Sequence, residues 1–302
     1  MNNEPQMCNK ASPARTGTIR AIGAAAGYLA LYFGIRFAAT LFIAVAYFIV
    51  RLPADLETTD TLDLILGYIG EISFVEIISS TIAMFAAVWI VGLIRDRKKP
   101  LSEHVGLFRD SGFVRFSPVL IPLLIVLGFT LNMFVSLMLD MLPIPEDVLN
   151  DYAEQSSLLG ETTVLSVLAT AIFAPLSEEL VFRGLLISRL RRGMPVWLAA
   201  LIPSVIFGLI HGQILWISYA LLLGLYLSMV CIRAGSTAAS ALLHAAFNAT
   251  SFILPLLPIA DDAPRTVFYL LAAASGIISV ALTVVFILLT KKKNVPPAEV
   301  CA

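Results

Sequence analysis

Eight apolar stretches, each close to the length of helix that crosses a bilayer, constrain this chain more than any other feature. They run at about 21–50, 72–94, 117–140, 162–188, 196–212, 214–232, 236–256 and 266–290. A helix needs ~20 apolar residues to cross a hydrocarbon core ~30 Å thick, and backbone inside lipid has to close its own hydrogen bonds. The stretches therefore predict an all-α fold, a polytopic membrane bundle of about eight transmembrane helices. Composition agrees. Of the 302 residues, 59% are hydrophobic and 14% charged, whereas ~25% are charged in an ordinary soluble domain. The fifth and sixth stretches nearly touch at His211–Gly212–Gln213 and read as a tight helical hairpin. The first is too long for the apolar part of a signal peptide and reads as an uncleaved helix.

Loop charges set the expected orientation. Arg15 and Arg20, then Arg95, Arg97, Lys98 and Lys99, then Arg189, Arg191 and Arg192, then Arg233 and finally Lys291–Lys293 fall in alternate loops. The loops between them carry Asp55, Glu57 and Asp60, then Glu146, Asp147 and Asp151, then Asp261 and Asp262. Basic loops stay on the cytoplasmic side, so both termini are expected there, in a protein integral to the membrane, the cell membrane by expectation. Residues 101–116 are too short and too charged to cross and read as a cytoplasmic interfacial segment. With a net charge of −1 no basic excess exists to neutralise phosphates, so nucleic acid is excluded as a partner. Cys8, Cys231 and Cys301 are too scattered for a disulfide framework or a Cys-ligated zinc site. A prenylation signal has its Cys fourth from the end, where this chain has Glu299, so a prenyl anchor of its own is not expected.

Ionisable side chains inside membrane helices cost about 2.5–3.5 kcal/mol on insertion scales, which makes them the place to look for function. Arg36, Glu71 and Glu76 read as structural, through ion pairing or snorkelling. Glu178 and Glu179 are adjacent carboxylates in Ala-Pro-Leu-Ser-Glu-Glu-Leu-Val-Phe-Arg-Gly. Glu179 and Arg183 are four apart and share a helix face. Glu178 points ~100° away, and its own i+4 position is Phe182. One carboxylate is thus neutralised locally and the other left for other work. Pro175 removes a backbone donor and is expected to kink the helix. His211 ends the fifth stretch, and His244 precedes Asn248 by four in the seventh, which sets an imidazole and an amide on one face. A carboxylate without a local partner, two imidazoles and an amide on three helices have the composition of a hydrolytic site if they converge.

Glu178-Glu179-x-x-x-Arg183, Phe207-x-x-x-His211 and His244-x-x-x-Asn248 resemble the three signatures of the CPBP family. These are the CAAX proteases and bacteriocin-processing enzymes, also called the ABI family of intramembrane metalloproteases. The resemblance covers about residues 160–255. It implies a membrane endopeptidase, CAAX-prenyl-protease-like, with Glu178, His211, His244 and Asn248 catalytic and Glu179 and Arg183 supporting them. The chain then divides into a cytoplasmic tail at 1–20, N-terminal transmembrane helices at 21–158, a CPBP-like catalytic core at 159–256, a last transmembrane helix at 257–290 and a cytoplasmic tail at 291–302. The implied partners are the lipid bilayer and a membrane protein or peptide as substrate, lipidated or not.

Two mechanisms agree with the resemblance. In one, a divalent metal, zinc by preference, is held by Glu178, His211 and His244 and activates water. In the other no metal is used: Glu178 and His211 activate the water, while His244 and Asn248 form the oxyanion hole. The chain has no His-Glu-x-x-His helix of the kind soluble zinc proteases carry. Two other readings stand beside the enzyme. One is a proton-coupled transporter using Glu178 and His244 as a relay. The other is a catalytically silent scaffold or bacteriocin self-immunity factor. One tension is visible in the sequence alone: Glu178 and His244 sit mid-helix, whereas His211 falls at the far end of its stretch. Gly208 and Gly212 beside it are expected to permit a close approach or a break.

Overall fold

The computed structural model describes residues 17–55, 61–157, 163–257 and 263–291, with the side chains of 51–71 and 155–157 left aside. The two expected tails lie almost wholly outside the described residues.

Nine helices carry the architecture among the described residues. They are α1 (Thr18–Asp55), α2 (Thr61–Asp96), α3 (Leu120–Met141), α4 (Glu146–Ser157), α5 (Val164–Leu190), α6 (Val196–Leu209), α7 (Ile214–Ala234), α8 (Thr237–Ile253) and α9 (Arg265–Leu289). Seven of them, α1, α2, α3, α5, α7, α8 and α9, are long and apolar enough to cross a membrane. The protein is a polytopic helical bundle. The fifth apolar stretch departs from the expected count of full spans. It folds as α6, a helix of 14 residues, about 21 Å long at 1.5 Å per residue. The apolar run continues to Ile210, but the helix stops, because Gly212 turns the chain at a φ of 74°. Gln213 then caps α7, its Oε1 accepting from the amides of Leu215 and Trp216. His211 therefore stands in the turn just beyond α6, beside the cavity that Glu178 and His244 line.

Burial of apolar surface does not drive helix association in lipid; small residues and hydrogen bonds do. Gly128 of α3 lies against α8, where an added Cβ would stand 2.7 Å from the Leu243 carbonyl oxygen. Gly224 of α7 packs on Ser204 of α6, and Ser204 Oγ and Ser228 Oγ are 3.2 Å apart.

The basic loops gather at one end of the bundle. Thr18 Oγ1 donates to the Gly193 carbonyl, and Arg233 Nη2 to that of Ile287. Asp110 joins the first half of the chain to α5, accepting from Arg189 Nη2 at 2.9 Å and pairing with Arg95 at 3.0 Å. The segment expected to lie along the interface at 101–116 departs from that course at its tip. Ser111 is fully buried, and the Gly112 carbonyl accepts from Thr237 N at the start of α8. Gly184 of α5 leaves room for the Ser111 carbonyl, which a Cβ there would strike. The tip is a plug between α5 and α8, fixed by the Thr237 amide on the Gly112 carbonyl and by the Thr237 and Ser236 hydroxyls donating to the Ser111 and Val114 carbonyls.

Candidate active site between the membrane helices

The site is built on two irregular turns of α5. Its Ala169–Phe173 and Glu179–Ile187 segments are π-helical, a geometry that recurs at functional sites. In the first, Ala174 N bonds the Ala169 carbonyl, five residues back. The next amide in that register would serve the Thr170 carbonyl, but residue 175 is proline and has none. Asn248 Nδ2 supplies the missing donor at 3.0 Å. Pro175 thus ties α5 to α8 and fixes one end of the site.

The second irregular turn opens with the carboxylates. Glu179 is fully buried and accepts from Arg183 Nη1 at 2.6 Å. Arg183 Nη2 reaches across to the Gly224 carbonyl of α7 at 3.1 Å. Glu179 Oε1 also meets His244 Nδ1 at 3.1 Å. An ionised carboxylate only accepts, so His244 Nδ1 carries the proton and Nε2 presents its lone pair. That nitrogen faces Glu178 Oε2 at 3.7 Å, close but beyond hydrogen-bond reach. His211 is fixed the same way: its Nδ1 donates to the Phe207 carbonyl at 2.7 Å, leaving Nε2 free. Phe207 is fully buried at the centre of these groups. Its ring meets those of His211 and His244 edge-on at 4.9 and 5.7 Å, and the Arg183 guanidinium lies 4.5 Å from its centroid.

Glu178, His211, His244 and Asn248 line one cavity of about 540 Å³, together with Thr170, Trp216 and Tyr219. The structure therefore brings together all four residues expected to be catalytic, with Glu179 and Arg183 behind them. Glu178 and His211 also line a second cavity of about 520 Å³ on the side of α1, with Tyr32 and Arg36. Arg36 forms an ion pair with Glu76 at 2.7 Å, as its structural reading anticipates, but it also borders this second space. The contribution of α1 to the site is absent from the sequence reading. The side chain of Glu71 lies outside the described residues. His104 stands on the exposed segment at the basic end, away from these groups.

The donor types of Glu178, His211 and His244 are those zinc takes. Their placement is not: among the described residues no three His, Cys, Asp or Glu side chains converge to hold an ion.

Fold and site together define a polytopic helical membrane protein with a paired-carboxylate, imidazole and amide centre in its interior. Residues 160–250 match the family described as Type II CAAX prenyl endopeptidase Rce1-like, and this is the CPBP and CAAX-protease resemblance carried by the three motifs. The chain is also 38% identical over 86 residues to an uncharacterized 24.3 kDa protein of Escherichia coli. That stretch is 27% of this chain and 40% of the relative, so the chain spans well under half of it. No solved structure matches the chain.

Proposed function

We propose that this protein is an intramembrane endopeptidase that hydrolyses a peptide bond of a membrane-associated or lipidated protein or peptide, using water activated by Glu178 and His211. One observation carries the reading. Glu178, whose ion-pair-range neighbour among the described residues is the His244 ring at 3.7 Å rather than an Arg or Lys, shares a roomy cavity among membrane-spanning helices with His211, His244 and Asn248. The family match over residues 160–250 supports the same class of activity.

A water in front of Glu178 gives its proton to that carboxylate while hydrogen-bonded to His211 Nε2. Its oxygen attacks the carbonyl carbon of the substrate amide. The developing oxyanion is met by the second Nδ2–H of Asn248 and by His244, whose Nε2 takes a proton from solvent before the attack and keeps it through the cycle, an imidazolium that the Glu179 carboxylate behind it stabilises. Glu178 then returns the proton to the leaving nitrogen, which departs as an amine and leaves a carboxylic acid. Glu178 carries the water's proton to the leaving nitrogen and no step calls for a metal, so the proposed mechanism is metal-free. The basic loops at one end of the bundle support an orientation with both termini in the cytoplasm.

Glu178→Gln tests the reading. The variant keeps the shape of the side chain and removes its basicity. Purified in phospholipid bilayers, it should lose about 10²–10⁴-fold in cleavage of a quenched peptide bearing a farnesylated Cys and three apolar residues, with unchanged thermal unfolding. Retained cleavage sinks the proposal. A scaffold or immunity factor predicts a cellular phenotype that survives the substitution, and a transporter predicts loss of proton flux in its place.

A further inference from the structure

The large cavity holds a second set of polar groups that hydrolysis does not use. Asn132 and Ser136 are one turn apart on α3, a helix outside the matched segment, and Ser251 lies on α8; all three line the cavity. Asn132 is buried. Its Nδ2 donates to Ser251 Oγ at 3.1 Å, and its Oδ1 accepts from Ser136 Oγ at 3.4 Å. A side-chain amide has two N–H donors and two acceptor lone pairs. These two contacts take one donor and one lone pair, so Asn132 keeps one of each. That remaining pair is the complement of a backbone peptide group, which also offers one N–H and one C=O. A buried amide in a membrane helix is costly unless it faces a cavity or a partner, and this one does both.

Register supplies the ruler. His244, Asn248 and Ser251 are at i, i+4 and i+7 of α8 and form one polar stripe along the cavity wall. From His244 to Ser251 the rise is about 10 Å. An extended peptide advances ~3.3 Å per residue, so the stripe spans about three substrate residues. It runs away from the end where Thr237 meets Gly112.

We infer that Asn132, with Ser136 and Ser251, is a positioning subsite that hydrogen-bonds the backbone of an extended substrate about three residues from the bond being cut. The inference rests on the endopeptidase reading and deepens it. The substrate class is a peptide segment unwound from helix over those residues, because only then is its backbone free to pair. A subsite of this kind reads backbone rather than side chains and tolerates varied sequences.

The experiment uses the full chain in phospholipid bilayers and the same farnesylated quenched peptide, together with a series in which each amide apart from the scissile one is replaced in turn by an ester. An ester removes one N–H donor and weakens the carbonyl acceptor without changing shape. For the wild type, one ester position about three residues from the cut should raise KM about five- to tenfold, with kcat within twofold. Asn132→Leu should raise KM of the all-amide peptide by a similar factor and abolish the extra penalty of that one ester. Ser251→Ala, a smaller change, should weaken the same position in part and guards against a folding defect in the first variant. A penalty that persists in Asn132→Leu, or effects spread evenly over all positions, overturns the subsite while leaving the protease reading intact. Failure of the wild type to cleave the all-amide peptide overturns both.

Discussion

Arg183 Nη1 lies 2.6 Å from Glu179 Oε1, and neither side chain is reached by solvent. The same oxygen accepts from His244 Nδ1, so the pair holds an imidazole as well as neutralising itself. Removing one partner strands a buried charge, which costs about 3–5 kcal/mol. Arg183→Met and Glu179→Gln should each lower stability by about that amount in reversible detergent unfolding. The double variant Glu179→Leu/Arg183→Met should recover most of the loss yet stay inactive, because His244 no longer has a carboxylate behind it. A double variant that cleaves as the wild type does, or is no more stable than the singles, contradicts this account.

The plug at the basic end gives a purely steric prediction. An added Cβ on Gly184 would strike the Ser111 carbonyl, while Gly112 holds a positive φ and hydrogen-bonds Thr237. Gly184→Ala should destabilise by about 1–3 kcal/mol and push the Ser111–Gly112 tip outward. Faster hydrogen exchange at Thr237 N is the readout, since that amide is held by the Gly112 carbonyl. Unchanged exchange there means the plug does not depend on close contact with α5.

The parts of the site that were legible in the sequence were those fixed by helical spacing. Four-residue separation puts Glu179 with Arg183, and His244 with Asn248, on common faces whatever the tertiary fold. It also isolates Glu178, whose corresponding neighbour is Phe182. The end of α6 was half legible. Gly212 and Gln213 carry the turn chemistry that stops the helix, and the helix ends at Leu209, three residues before the expected limit of the stretch. The plug had a signal in Asp110-Ser111-Gly112, a turn sequence, obscured by the charges around it. Arg36 was visible as a charge inside a span, but nothing in the sequence set it or Tyr32 beside the second cavity, because which face of α1 meets α5 is decided by packing between distant segments. Asn132 escaped because it is uncharged, so a search for ionisable side chains passes over it.

The tautomer of His211 is fixed by geometry and is directly measurable. Its Nδ1 faces a backbone carbonyl at 2.7 Å, which can only accept, so the proton belongs on Nδ1 and Nε2 is left as an acceptor. Nitrogen-15 spectra of histidine-labelled protein at neutral pH should show a protonated Nδ1 and an unprotonated Nε2 for this ring. A proton on Nε2 removes His211 as an acceptor for the attacking water.

Water activation by Glu178 without a metal predicts indifference to chelators. Because no three potential ligands converge among the described residues, prolonged dialysis against a strong chelator should leave kcat/KM within twofold. Loss of activity that zinc restores means that the side chains close around an ion and that the metal-free mechanism is wrong.

Asn248 has two jobs that substitution can separate. One Nδ2–H holds the Thr170 carbonyl that Pro175 cannot serve, which is structural. The other is left for the cavity that Asn248 lines, where the proposed mechanism puts the oxyanion. Losing a neutral hydrogen bond costs ~1 kcal/mol of stability, whereas losing an oxyanion donor costs ~10²–10³ in kcat. Asn248→Ala should therefore unfold only slightly more easily while kcat falls by that factor and KM stays level. Asn248→Asp keeps the size and removes both donors, so it should lose at least as much activity. Pro175→Ala returns an amide to the α5 turn and frees Asn248 from its structural duty. Combined with Asn248→Ala it should restore the lost stability without restoring turnover. If turnover returns with stability, Asn248 is a helix tie alone, and the oxyanion must be stabilised by another group in the cavity.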